Sequence, residues 1–219
     1  VTTVNYNRDV EIFPVLRTIF ENILGQCPYK SPTDMGVNMA GNCIVDDEVC
    51  RQASRMEILR RYYATLTDRL QGKVDEELVY KLELLMKQAD VTTDLCPAIA
   101  ASLKREEATG APAGAMVLPD GQVVTGRTSD LLGASAALLL NALKRLGGID
   151  QDLDLISTHV LEPICRLKTG VLGNKNPRLH SDEVLIALCV SALTNPIAAM
   201  AQAQLPKLRG CDAHFTVVL

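Results

Sequence analysis

Residues 174 to 181 read Asn-Lys-Asn-Pro-Arg-Leu-His-Ser, directly ahead of an oily run that begins at Val184. A guanidinium, an ammonium, an imidazole, a hydroxyl and two amides so close together could hold an anion. The start of a helix helps, because its free N–H groups and its dipole already favour negative charge. Phosphate or carboxylate would suit, with Asn176, Arg178, His180 and Ser181 as contacts. His180 is the candidate catalytic residue, since an imidazole exchanges protons near neutral pH and can serve as acid or base. The same letters also spell an ordinary helix start. Asn176-Pro177 forms turns, Ser181 is a natural N-cap, and Asp182 and Glu183 suit the first turn and already supply negative charge there. Both readings stand.

A second cluster lies in residues 31 to 48, where Thr33, Asp34, Asn38, Asn42, Asp46 and Asp47 share the stretch with glycines at 36 and 41. Carboxylates and amides are fit ligands for a hard cation such as Mg²⁺, but the spacing matches no calcium loop, and Asp46 and Asp47 read equally well as helix caps. Thr33, Asp34, Asn38 and Asn42 are candidate substrate contacts. Arg8, in Asn-Tyr-Asn-Arg-Asp, could reach a phosphate or simply lie on the surface. His214 alternates with Ala213 and Phe215 along a β-rich run and reads as structural, and His159 has no companion. No metal centre is expected: the seven cysteines are scattered without a CxxC pair, which suggests reduced thiols in a cytoplasmic protein. Cys189, among apolar neighbours, reads as a small core residue. The phosphate-loop, dinucleotide, HExxH and GxSxG patterns are all missing.

These residues need elements to position them, and the pattern of apolar positions is mainly helical. Ile12, Leu16, Ile19, Phe20 and Ile23 recur at helical spacing from Asp9 to Gly25. Residues 26 to 42, rich in Pro, Gly, Asn and Ser, read as loop. A long helix follows Asp46-Asp47 and breaks at Gly72. Another starts at Asp75, and the two should form an antiparallel hairpin. A shorter helix spans 97 to 109. Then the period changes: 116–118 and 122–125 flank Pro119-Asp120-Gly121, a hairpin turn. Further helices are expected from Ser129 or Asp130 to Leu146, over 152–161 until Pro163 interrupts, over 181–194, and after Asn195-Pro196. A strand over 213–219 should pair with the hairpin. The fold class is therefore α+β, predominantly helical, with a helical hairpin and a small antiparallel sheet. The whole of 1–219 reads as one region, with possible sub-regions at 1–110, helical, and 111–219, α+β.

Composition narrows the partners. Apolar residues make up 47% and charged residues 22%, as in an ordinary globular protein. A net charge of −4 argues against a general grip on nucleic acid or acidic membranes. No apolar run reaches the ~18 residues of a membrane helix. The chain opens without Met and stops inside a β-rich run, which suggests a fragment cut at both ends.

Three stretches, "TTVNYNRDVEIFPVL", "SPTDMGVNM" and "NPRLHSDEVLIAL", resemble a bacterial family called domain of unknown function eighteen-forty-six, over essentially the whole chain. Full members are about twice as long, and the resemblance is to their C-terminal half. It implies a nucleotide connection. Some members carry the label ATP-dependent peptidase, and the half absent here has a glycine-rich segment ending in Gly-Lys. ATP and Mg²⁺ are thus the cofactors implied, held mainly by that absent half, and no catalytic residue is carried over. Three readings follow. In the first, this is the substrate-side region of a nucleotide- or phosphate-using cytoplasmic enzyme, and the Thr33–Asn42 loop lines the same cleft as Arg178 and His180. In the second, the hairpin over 47–89 is an oligomerisation element, with Tyr62 and Tyr63 on two different faces, and the chain has no chemistry of its own. An oligomeric enzyme combines the two, with a homo-oligomer and an anionic small molecule as partners. A peptidase, the third, has no zinc pair, nucleophile elbow or carboxylate pair to support it.

Overall fold

A computed structural model describes residues 6–39 and 46–218, in two compact units, residues 1–95 and 96–219. In the first unit, α1 (Tyr6–Leu24), α2 (Pro32–Met39), α3 (Asp47–Leu70) and α4 (Glu76–Gln88) precede a 3-10 turn. Asp46 Oδ1 accepts from the N–H groups of Glu48 and Val49, both at 3.0 Å, so the expected acid cap is in place. α3 and α4 form the expected antiparallel hairpin: Arg69 meets Glu76, Tyr62 meets Glu83 and Arg55 meets Asp90 in opposite chain order.

Two expectations in this unit are corrected. α1 begins at Tyr6, ahead of the expected start at Asp9, which lies within its first turn. The stretch read as loop contains α2. Ser31 caps it: Ser31 Oγ accepts from the Asp34 N–H at 3.0 Å, and Asp34 Oδ2 accepts from the Lys30 N–H at 2.6 Å. Met35 is fully buried, and the Thr33 and Ser54 hydroxyls bond at 2.5 Å, fixing α2 on α3. Packing overrides the poor helix propensity of Gly36 and Asn38.

The second unit holds α5 (Pro97–Thr109), β1 (Ala113–Val117), β2 (Val123–Arg127), α6 (Ala134–Leu146), α7 (Thr158–Gly170), α8 (Ser181–Ala192), α9 (Pro196–Gln202) and β3 (Ala213–Phe215). The sheet is antiparallel in the order β2-β1-β3, so the C-terminal strand does pair with the hairpin. The turn is built as the sequence suggests. Gly121 N–H donates to Leu118 O at 2.9 Å, and Gly121 takes φ +81°, which a glycine adopts without strain. Gly114 and Gly126 face each other across β1 and β2, and both lie under Leu138 of α6. With no Cβ in the way, the helix sits directly on the strands. Leu140, Leu143, Leu161, Val184, Leu188 and Ala198 then join α6 to α9 in one core. The chain as a whole is a predominantly helical α+β protein.

Several boundaries move here as well: β1 opens at Ala113, ahead of the expected 116, and β3 ends at Phe215, short of 219. α6 starts at Ala134, later than expected, because Leu132 first pairs in parallel with Leu179. α7 starts after Ser157, whose Oγ accepts from the His159 N–H, and runs through Pro163 to Gly170. The proline lies early in the helix, and both it and His159, whose carbonyl loses its usual donor, are exposed to water. Cys189 is exposed and accepts from Gln202 Nε2, so it is no core residue.

Candidate functional site

The bridge between Leu132 and Leu179 sets the site. Leu179 N–H donates to Leu131 O at 2.8 Å and Gly133 N–H to Leu179 O at 3.0 Å. Each bridged residue is followed at once by the N-cap of a helix, Gly133 for α6 and His180 for α8. Two helix starts are thus pinned side by side. Both open on one cavity of about 620 Å³, lined by Gly133, Ala134 and Ser135 from one start and by His180, Ser181 and Asp182 from the other. Pro112, Thr128, Asn176, Arg178 and the pair Val217-Val218 complete it. Gly133 has no side chain to cap α6, so the positive end of that helix faces the cavity uncapped.

The loop ahead of α8 is held by a chain of hydrogen bonds. Asn174 Oδ1 accepts from the Asn176 N–H at 3.0 Å, and Asn176 Oδ1 accepts from the Arg178 N–H at 3.1 Å. The second bond orients the Asn176 amide, so its NH₂ donates to His180 Nε2 at 3.1 Å and the ring proton sits on Nδ1. Arg178 Nε donates to Ser129 O at 2.7 Å, which ties the guanidinium to the segment before α6 and leaves its terminal nitrogens unused within the described residues. Ser181 is the first residue of α8, with His180 as the N-cap, a correction of one position. Glu183 causes the shift by reaching back to accept the His180 N–H at 2.8 Å.

Sequence reasoning missed the support beneath this loop. Lys168 is buried on α7, and its Nζ donates to Arg178 O and to Glu183 Oε2, both at 2.7 Å. Burial alone would raise the Glu183 pKa. The Lys168 hydrogen bond, the His180 N–H and the Lys168 charge outweigh it, and the carboxyl lies below the ordinary glutamate value. A glutamate three residues after the helix cap was the available signal for that half. Nothing local marks Lys168, and a glycine cap such as Gly133 leaves no signal either.

The other candidates fall elsewhere. Thr33, Asp34 and Asn38 belong to α2, in the first unit, and are spent on structure: Asp34 takes the Lys30 N–H and the Asn38 amide, and Thr33 bonds Ser54. Asn42 lies outside the described residues, and of Arg8 only the backbone, in α1, is described. Tyr62 and Tyr63 do not divide between two surfaces. Their rings pack edge to face, with centroids 5.4 Å apart. Among the described residues no three His, Cys, Asp or Glu side chains form a metal-holding group, and no helix is long and apolar enough to cross a membrane.

An α+β chain with two pinned helix starts and an Arg-His loop over one cavity is the class that fold and site define. Comparison with known proteins gives the family. Residues 1–90 match the family description "Domain of unknown function DUF1846, N-terminal", and residues 94–219 match "Domain of unknown function DUF1846, C-terminal". The chain belongs to this family. One detail of the expected resemblance changes, since residues 1–90 match the N-terminal description and not the C-terminal one. A UPF0371 protein of Corynebacterium efficiens is 53% identical over 215 residues, which are 98% of this chain and 43% of that protein. One of Corynebacterium urealyticum is 51% identical over the same share. One of Streptococcus thermophilus is 51% identical over 218 residues, all of this chain and 44% of its own length. The chain thus spans less than half the length of these curated relatives.

Proposed function

We propose that residues 96–219 bind an anionic group of a small substrate, as the substrate-side region of a cytoplasmic enzyme that uses a nucleotide or another phosphate compound. The observation that carries this reading is the opening of two helix starts on one cavity beside Arg178. Backbone N–H groups from α6 and the guanidinium supply donors. Thr128, Ser135 and Ser181 add hydroxyls around the lining. Asp182 at the rim opposes an anion, which favours a ligand placed toward α6 and Arg178. His180, oriented by Asn176, is the acid or base of the proposal. ATP and Mg²⁺ enter only as substrates or cofactors of the longer family protein.

The test is thermal shift of the chain with phosphate, sulfate, ATP and ATP–Mg²⁺, for wild type, Arg178→Ala and His180→Ala. A ligand at 100 times its Kd stabilises the native state by about 2.7 kcal/mol. Stabilisation of wild type that Arg178→Ala loses while still folding supports the reading. Equal shifts in all three proteins, or none, would reduce the loop to a helix start.

A second reading has its own observation. On α4, Leu78, Tyr80 and Leu84 stay exposed after the hairpin has formed, so α4 could cover a second copy of the chain. Light scattering decides it: a strict monomer at working concentration removes the homo-oligomer.

A further inference from the structure

The first unit holds a cavity of about 720 Å³ between α1, the link after it, the N-terminal half of α3 and the end of α4. We infer that this cavity is a separate binding site, for a small organic anion with an apolar body. Its volume falls in the range of small-molecule pockets and is too small for a folded partner. The unit carries more acidic than basic residues, yet the lining collects Arg17, Lys30, Arg51 and Arg55 against only Glu21 and Asp90. A positive focus in an acidic unit concentrates anions there.

The arrangement is costly unless something uses it. Arg51 and Arg55 stand four apart on α3, where like charges on one helix face repel. The Arg51 partner offsets little: Arg51 lies 3.6 Å from Glu48 in a loose, exposed pair. Arg55 is held more firmly, donating to the Asp90 carbonyl and lying 3.5 Å from its carboxylate. Arg17 is engaged through Nε by Glu21 at 2.7 Å, which leaves its terminal fork for an incoming oxyanion. Two guanidinium forks, from α1 and α3, can then take a phosphate or carboxylate from two sides. Phe13 and Ile58, both buried, form the floor, and Tyr29, edge-on to Phe20, forms part of the wall. Those surfaces fit an aromatic or aliphatic body attached to the anionic group.

The probe is phenyl phosphate, compared with inorganic phosphate, titrated into ¹⁵N-labelled chain and followed by amide shifts. Shifts should appear at Tyr29, Ser31 and Ser54, with phenyl phosphate binding about tenfold tighter than phosphate. Arg17→Gln and Arg51→Gln should each weaken this about tenfold, Arg51→Lys should retain part of it, and Glu21→Gln should strengthen it by removing a competing charge. Arg178→Ala should leave these amides unaffected, which separates this site from the one in residues 96–219. Absence of shifts at 10-fold excess over millimolar protein, or equal affinity in Arg51→Gln that circular dichroism shows folded, overturns the inference. Equal binding of the two phosphates removes the apolar half of it.

Discussion

Replacing Lys168 by methionine keeps the buried stem of the side chain and deletes its charge. The wild-type side chain is 5% exposed, and its ammonium makes two bonds of 2.7 Å, to the Arg178 carbonyl and the Glu183 carboxylate. Two charge-assisted hydrogen bonds at about 1.5–3 kcal/mol each give a loss of roughly 3–6 kcal/mol. Direct experience with breaking a buried pair gives about 3–5 kcal/mol. Glu183 remains 26% exposed and keeps the His180 N–H, so the lower end, about 3 kcal/mol, is the expected cost. The assay is urea unfolding followed by circular dichroism for wild type, Lys168→Met, Glu183→Gln and the double variant. Coupling above about 1.5 kcal/mol is expected, because the two side chains touch. The carboxyl pKa lies below its unfolded value, so its contribution is present above the ordinary glutamate range. It fades as pH falls through the lower folded value, and the gap between wild type and Glu183→Gln should close there. Additive single losses, or a cost for Lys168→Met under 1 kcal/mol, would refute the claim that this pair holds the loop.

Two further outcomes follow from the second unit. A Cβ at Gly126 would press on the backbone nitrogen and Cα of Leu138, whereas one at Gly114 would meet the movable ring of Phe215. Gly126→Ala should therefore cost about 3 kcal/mol or more and Gly114→Ala less, read as denaturant midpoints. The His214 pKa is lowered by burial, so protons favour the unfolded chain, and stability should decline as pH falls from the ordinary histidine range toward the lower folded value. His214→Gln should flatten that decline in thermal melts across the same pH range.

Much of the scaffold was legible because local chemistry agreed with the fold. Gly72 after a three-four stripe and Pro119-Asp120-Gly121 between β-rich runs each admit one reading, and Asp46 before the stripe has the cap role that was one of its two readings. The misses share a cause in distant partners. α2 forms on Ser54 of α3, and the start of α6 waits on Leu179, dozens of residues away. The Asn176–Ser181 cluster was visible because its polar residues are contiguous. Gly133, Ser135, Lys168 and Val217 come to the same place only through folding, and no spacing announces them.

The one-residue bridge between Leu132 and Leu179 has a consequence for how this region can change in length. It sets the relation of the two helix starts regardless of what the chain does between α7 and Leu179. Residues 171–173 there are exposed, so insertions in that stretch can lengthen the connection and leave the Asn174–Asn176 turn and the donors in place. The short link before α6 has no such freedom. One residue added between Leu132 and Ala134 would turn α6 by roughly 100°, lift Leu138 off the paired glycines and aim the first-turn N–H groups away from Arg178.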